Sequence, residues 1–500
     1  MRLGLFMLGL ASAPATPARA DAPAYQDIER QVQKVAAATQ SGVVALVVSH
    51  HPRHPLPPDA DRPLGKLGTY PVPGDLKPDP KLDLADPRTA ADFTTGSGVV
   101  LDAAAGLVLT NYHLIDGGRR VYVRTAAGRG SYADIHAADA RADLAVLKLI
   151  TPPAGLTAVP IADARTVDGL GGARATVGPG TLIVTVGHPD AAAAADGVPL
   201  VSWGTLTGVR RRTPAGPLTI TEDTPTKPLH QYAGLLKTDA RATVGCSGAA
   251  ILNMAGELIG LATPTAALTG ADSAGGYALP MDPNFRRIVA VLKAGREVEY
   301  GFLGVQMPRG GVQVGNGLTL PGVTPGGPAA VAGLAAGDVI LAVDGNLISE
   351  ADDLFLYVGA ALAGSEVTLA VGRGSGFGVS RPVKAMLAKF DHKMDRIVTA
   401  RPPAVHGLRV DWASVYYQQH TPRFMPAGVV VSEVAPGSPA AAKLAPLGGP
   451  GAAWLVTRVA DKAVLTPREF YAVAGGPDQV KLTVIDLARP GGVEHEVTLP

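Results

Sequence analysis

Apolar positions along this chain fall into several rhythms, and each predicts a different kind of structure. Ile28, Val32 and Val35 recur at spacings of four and three. That puts them on one helical face, and Gly42 can end such a helix. Val43 to Val48 follows as an unbroken apolar run of strand length. Between residues 50 and 92 the rhythm stops: the segment is Pro-rich, polar and aperiodic, which predicts a long loop insertion. From Gly96 to about Pro280 short apolar runs alternate with Gly, Pro, Asp and Ala. Examples are Val99 to Leu101, Leu107 to Leu109, Val121 to Val123, Leu144 to Leu149, Leu182 to Val186 and Leu258 to Leu261. Strands this short and this closely spaced predict an all-β sandwich or barrel. Asp282 to Lys293 returns to a helical pattern and can close that domain.

The last two hundred residues hold a repeat. Val323-Thr324-Pro325-Gly326-Gly327-Pro328-Ala329-Ala330 matches Val434-Ala435-Pro436-Gly437-Ser438-Pro439-Ala440-Ala441 at an offset of 111 residues. A strand-like run follows each copy, Val339 to Val343 and Leu455 to Val459. Two tandem modules of roughly 100 residues each fit one small domain apiece. Chance similarity of two Pro/Ala-rich turns is the alternative.

Composition narrows the picture. The 500 residues allow about two to four domains. With 47% apolar residues the chain can build real cores. Its 61 glycines and 43 prolines favour turns and short strands without reaching low complexity. The net charge of +1 gives no global pull toward nucleic acid or an anionic membrane. The single cysteine excludes an internal disulfide and a cysteine-built metal or iron–sulfur site. No run approaches the ~18 apolar residues of a membrane span. At the start, Arg2, the apolar run Leu3 to Ala11 and the small-x-small pattern Ala18-Arg19-Ala20 read as a secretory signal over residues 1–20. A buried N-terminal helix or strand is the alternative. A signal places the mature chain outside the cytoplasm.

Three segments carry candidate chemistry. Leu109-Thr110-Asn111-Tyr112-His113 sets a histidine just after a strand. Asp143 heads the apolar run Leu144 to Leu149. Gly245-Cys246-Ser247-Gly248 sets a serine in a Gly-flanked loop before a further strand. A serine hydroxyl is a poor nucleophile until a neutral histidine can take its proton, and a buried carboxylate fixes the histidine tautomer. Backbone amides of Gly245 and Ser247, with Cys246 beside them, can be aimed at one oxyanion. Singly, each feature is an ordinary strand end, turn or loop. The order His, Asp, Ser at separations of 30 and 104 residues is that of chymotrypsin-like proteases.

With Gly96-Ser97-Gly98-Val99-Val100, Thr238-Asp239-Ala240 and Gly276-Tyr277-Ala278-Leu279-Pro280 added, the chain from about residue 25 resembles the HtrA/DegP serine proteases. That resemblance implies a mainly β fold: a chymotrypsin/trypsin-like double β-barrel followed by PDZ-like α+β domains. It divides the mature chain into a peptidase domain (21–298), a first PDZ domain (299–395) and a second PDZ-like domain (400–500). It makes His113 the base, Asp143 its orienter and Ser247 the nucleophile, with the oxyanion held at Gly245, Cys246 and Ser247. Tyr300-Gly301-Phe302-Leu303-Gly304-Val305 resembles a PDZ carboxylate-binding loop, so Phe302, Leu303 and Gly304 are candidate peptide-binding residues; an ordinary core strand is the alternative. The expected function is extracytoplasmic cleavage of unfolded or misfolded proteins, a reaction that requires no metal, nucleotide or organic cofactor. Expected partners are unfolded polypeptides and C-terminal peptides, and the family implies homotrimers or larger assemblies in the periplasm.

The departures are as informative. The family has Gly-Asn-Ser-Gly-Gly-Pro at the nucleophile, and this chain has Gly245-Cys246-Ser247-Gly248-Ala249-Ala250. Ala249 strains the loop if its position needs a positive φ. The rival function is therefore a catalytically impaired chaperone or peptide-binding scaffold; accidental occurrence of the triad residues in a structural β protein is a third reading. The second module lacks the Gly337-Asp338 of the first and inserts Pro446 to Pro450. His50, His51 and His54 read as a solvated loop, Arg210 to Arg212 as a solvated hairpin, and Cys246 as a small loop filler.

Overall fold

The computed structural model describes residues 25–50, 84, 93–125, 128–163, 177–189, 198–211, 228–232, 234–240, 245–263, 275–307, 317–373, 380–392, 394–447, 452–476, 479–489 and 492–500. The signal reading and nearly all of the 50–92 insertion lie outside these residues. A helix, Tyr25–Thr39, opens the described chain. Its stripe residue Val35 is buried against the barrels.

The first barrel is built from β1 (Val43–Ser49), β2 (Thr94–Asp102), β3 (Leu107–Thr110), β4 (Arg120–Arg124), β5 (Gly130–Asp139) and β6 (Leu144–Leu149). The order β5-β4-β1-β2-β3-β6 closes through pairing of β5 with β6. The second barrel holds β7 (Leu182–Gly187), β8 (Leu200–Arg211), β9 (Leu235–Thr238), β10 (Ala250–Leu252), β11 (Leu258–Thr263) and β12 (Gly276–Pro280). It closes in the order β10-β11-β12-β9-β8-β7. Every residue of β1 is buried, so an unbroken apolar run suits it better than alternation. The helix Pro283–Lys293 follows, with the Asp282 carboxylate capping the N–H groups of Asn284 and Phe285.

Two α+β modules follow. The first has β13 (Gly301–Phe302), β14 (Leu318–Thr319), β15 (Asp338–Val343), β16 (Asn346–Leu347), β17 (Glu366–Arg373), β18 (Arg381–Met386) and β19 (Ala388–Lys389), with the helix Ala351–Ala360 across them. The chain then forms β20 (Arg396–Val398), which pairs antiparallel with β5 of the first barrel, Arg396 opposite Asp139. The segment between the two modules is thus a seventh strand on the sheet of the first barrel. The second module has β21 (Leu408–Trp412), β22 (Val429–Val434), β23 (Trp454–Val459), β24 (Lys462–Ala463), β25 (Val480–Asp486) and β26 (Glu494–Leu499). The fold is mainly β, a double barrel with two PDZ-like modules.

The repeated octapeptide is a helix start in both modules. Pro328 and Pro439 each stand in the first turn, where a missing N–H costs nothing. Ser438 Oγ accepts from the Ala441 N–H, and Gly327 occupies the same cap position without a side chain to do so.

Candidate active site

Three elements deliver the three residues to one cleft. β3 ends at Thr110, and a short helix Tyr112–Ile115 carries His113. Asp143 stands between β5 and β6 with a φ of 54°, left-handed backbone that a non-glycine residue rarely adopts. Ser247 lies in the turn before β10, between Gly245 at φ 93° and Gly248 at φ 78°.

The glycines are there for space. A Cβ on Gly248 would stand 2.0 Å from the Ser97 carbonyl oxygen, and one on Gly245 would stand 2.4 Å from that of Pro189. Ser97, on β2, stitches the barrels across the cleft. Its N–H donates to the Ser247 carbonyl at 2.7 Å, and its Oγ accepts from the His188 N–H at 2.8 Å. Ala249 is not among the residues of positive φ, so the alanine does not strain the loop. Its methyl fits because Gly187 faces it: a Cβ on Gly187 would come within 2.4 Å of the Ala249 Cβ.

The side chains form one chain of contacts. Ser247 Oγ lies 2.9 Å from His113 Nε2. His113 Nδ1 lies 2.9 Å from each oxygen of Asp143. The Asp143 carboxylate also accepts from the His113 N–H at 3.0 Å, from Asn111 Nδ2 at 3.3 Å and from the Thr263 hydroxyl at 3.3 Å. Asp143 is buried and the His113 side chain is about a quarter exposed. Burial opposes charge on both, but their mutual attraction and hydrogen bonds win. His113 is held above the ordinary histidine pKa and Asp143 below the ordinary aspartate value. His230, in the turn Leu229–Tyr232, is buried beside them; burial lowers its pKa, so it stays neutral at pH 7. Among the described residues no acceptor faces the N–H groups of Gly245 and Ser247. Cys246 packs into the second barrel's core, where a small side chain fits.

All three sequence-predicted residues therefore meet, and the loop amides stand beside them. Sequence reasoning gave no role to Asn111, although it lies in the His113 motif, or to Thr263, which has no local signal. Arg210 corrects the solvated-hairpin reading: it bonds Asp353 at 2.8 Å and lies over the Tyr357 ring. His50 Nε2 is 3.0 Å from the Asp116 carbonyl oxygen, and no group of metal-ligand residues occurs among the described residues. The loops 232–245 and 261–276, which would line a specificity pocket, fall partly outside the described residues.

Comparison with known proteins adds names to this geometry. Residues 96–261 match the trypsin-like peptidase domain and 301–376 match the PDZ domain. A "Probable periplasmic serine protease do/HhoA-like" of Haemophilus influenzae is 30% identical over 59% of this chain and 58% of its own. The "Periplasmic serine endoprotease DegP" of Salmonella typhimurium is 28% identical over 69% of this chain and 65% of its own. The chain thus spans less than two thirds of the length of these relatives. A solved serine endoprotease from Yersinia pestis, 22% identical, covers 72% of this chain and 98% of its own with a TM-score of 0.41.

Proposed function

We propose that this chain, HtrA/DegP-like in its trypsin-like peptidase domain and PDZ domain, is a periplasmic serine endopeptidase that cleaves unfolded or misfolded proteins. The observation that carries the reading is the 2.9 Å contact of Ser247 Oγ with His113 Nε2, backed by His113 Nδ1 on Asp143. In the free enzyme the serine hydroxyl donates to Nε2, and Nδ1–H donates to the carboxylate. As Oγ bonds to the scissile carbonyl carbon, Nε2 takes the hydroxyl proton, and Asp143 stabilises the imidazolium. The carbonyl oxygen becomes an anion, for which the Gly245 and Ser247 amides, with Cys246 between them, form the receiving site. Collapse breaks the C–N bond, and Nε2 returns its proton to the leaving amine. Water then repeats the sequence on the acyl-serine, with His113 again as base.

On this reading residues 1–20 are a secretory signal, 21–298 the peptidase domain, 299–395 and 400–500 the PDZ-like domains. The groove at Phe302, Leu303 and Gly304 takes C-terminal peptides. The active species is a homotrimer or larger, which light scattering on the purified chain measures.

The test is digestion of an unfolded model protein by the mature chain and by Ser247→Ala. Cleavage lost in the variant supports the reading; equal cleavage by both, or none by either with hydrophobic C-terminal peptides added, overturns it. The pH profile gives a finer check. kcat/KM rises as His113 loses its proton, with a midpoint above the ordinary histidine value of 6.5. Asp143→Asn lowers that midpoint and reduces the rate by about 10⁴-fold.

A further inference from the structure

The first module's peptide groove has one wall that its own domain does not supply. Between the loop Gly301–Val305 and the helix Ala351–Ala360 lies a cavity of about 80 Å³. Its lining is apolar, including Phe302, Leu303, Val358 and Phe390, with a single charged side chain among the described residues. That side chain is Arg141, which belongs to the first barrel and stands two residues before Asp143.

Arg141 is 2% exposed. Its guanidinium lies 4.5 Å from the centre of the Tyr300 ring and 4.6 Å from that of Phe390. Nε and Nη1 are buried, and among the described residues neither has a hydrogen-bond acceptor. The nearby Asp139 does not provide one: its Oδ1 accepts from the Tyr300 hydroxyl at 2.5 Å and the Ala142 N–H at 2.8 Å, and its Oδ2 is buried with no partner among the described residues. Nη2 comes up against the groove helix where Gly359 has no side chain; a Cβ there would stand 3.3 Å from it. In the loop that also lines the cavity, Gly304 has a φ of 74°, and among the described residues the Leu303 and Gly304 N–H groups have no acceptor.

Ring faces offset only part of the cost of a buried cation. A guanidinium with unused donors presents the fork that matches a carboxylate, and in an apolar cavity that pairing is little screened. We propose that Arg141 is a specificity-determining residue of the groove: the peptidase barrel supplies the counter-charge for a ligand carboxylate that the loop N–H groups also hold. The site is then complete only when module and barrel are docked. Its ligand is a peptide whose last residue brings a carboxylate, from the chain terminus or from an acidic side chain, next to a small aliphatic group. This inference rests on the peptide-binding reading of the groove given above.

The test uses the full chain carrying Ser247→Ala, so that peptides survive. Fluorescence anisotropy measures binding of a labelled decapeptide ending in Ala-Ala-Val as the free acid, as the C-terminal amide, and as an amide ending in Ala-Ala-Glu. The free acid is expected to bind more tightly than its amide. Arg141→Met is expected to weaken the free acid by about 10- to 100-fold while changing the amide little. Arg141→Lys restores part of the loss. Tight binding of the Ala-Ala-Glu amide, lost in Arg141→Met, assigns the carboxylate to a side chain instead. Because Arg141→Met removes a buried group, Gly359→Ala serves as a second variant; it crowds Nη2, keeps the charge and is expected to weaken the free acid several-fold. An acid-to-amide preference that neither Arg141→Met nor Gly359→Ala alters overturns the proposal. Failure of all three peptides to bind the parent chain instead overturns the peptide-binding reading on which it rests.

Discussion

Tyr300 and Trp412 stand at the two joints where a small module meets the rest of the chain, and their surroundings differ. Tyr300 is fully buried in an apolar cluster that runs without a break from the barrels into the first module, from Val43 and Val99 to Leu303, Leu354 and Leu369. Its hydroxyl donates to Asp139, and Tyr232 stacks on Phe355 at 5.8 Å close by. Trp412 belongs to the second module, whose core cluster contains only that module's own residues. Its Nε1 donates to Glu299 at 3.3 Å, beside the buried Lys389. Lys389 Nζ lies 3.0 Å from Glu297, 3.6 Å from Glu299 and 2.9 Å from Asp411, and Arg396 Nε lies 3.1 Å from Glu297 as an ion pair. One module is joined by shared apolar core, the other by buried charge around a cavity of about 400 Å³.

The difference matters because apolar packing is non-directional and tolerant, whereas a buried ion cluster holds only while every member is present. The first module also touches the turn 139–143 that ends in Asp143, through the Tyr300 hydroxyl on Asp139; among the described residues the second module makes no hydrogen bond to that turn.

The largest expected effect is at the second joint. Lys389→Met removes the buried cation shared by three partly exposed carboxylates, and solvent screening of those carboxylates holds the loss to about 3 kcal/mol, the low end for a broken buried pair. Calorimetry should show the second module melting separately, with protease cleavage appearing near residues 399–407, while the barrels and first module keep their transition. Loss of the whole fold together would erase the contrast between the joints.

The next effect is pH-dependent and belongs to the first joint. Burial pushes the Asp139 carboxyl up to about 6, against an unperturbed value of 3.8. A raised carboxyl pKa means the folded state holds the proton more tightly. This contribution is fully present below about pH 4, falls as pH rises to about 6 and is flat above, with a total change of about 2–3 kcal/mol. Denaturant titrations at pH 4 and pH 7 measure it, and Asp139→Asn should remove the slope. Tyr300→Phe deletes the donor to Asp139 and should cost about 1–3 kcal/mol of stability, read from the denaturation midpoint. The smallest effect is at Arg210. Its pair with Asp353 is partly exposed, and Arg210→Ala should shift stability by about 1 kcal/mol or less.

How much of this could be read beforehand depended on how local the cause was. The His113, Asp143 and Ser247 motifs are short strings at strand ends, and their spacing sufficed to pair them. The proline-led helix starts at Pro328 and Pro439 were legible for the same reason. The left-handed turn at Asp143 was not, because aspartate carries no sequence mark of φ. Strand β20 has three residues and no periodicity; only its neighbour β5 makes it a strand. Arg141, Tyr300 and Phe390 lie up to 249 residues apart; Tyr300 heads the loop motif, but nothing local in the sequence joins it to Arg141 or Phe390. Ala249 looked costly because its partner Gly187, which clears the space, lies 62 residues earlier.

The central claim is that His113 activates Ser247. The most direct measurement is labelling of the intact chain by a fluorophosphonate, followed by peptide mass mapping. The account predicts a single covalent adduct on Ser247, formed far more slowly in His113→Ala. An unlabelled Ser247, or labelling at the same rate without His113, would contradict it.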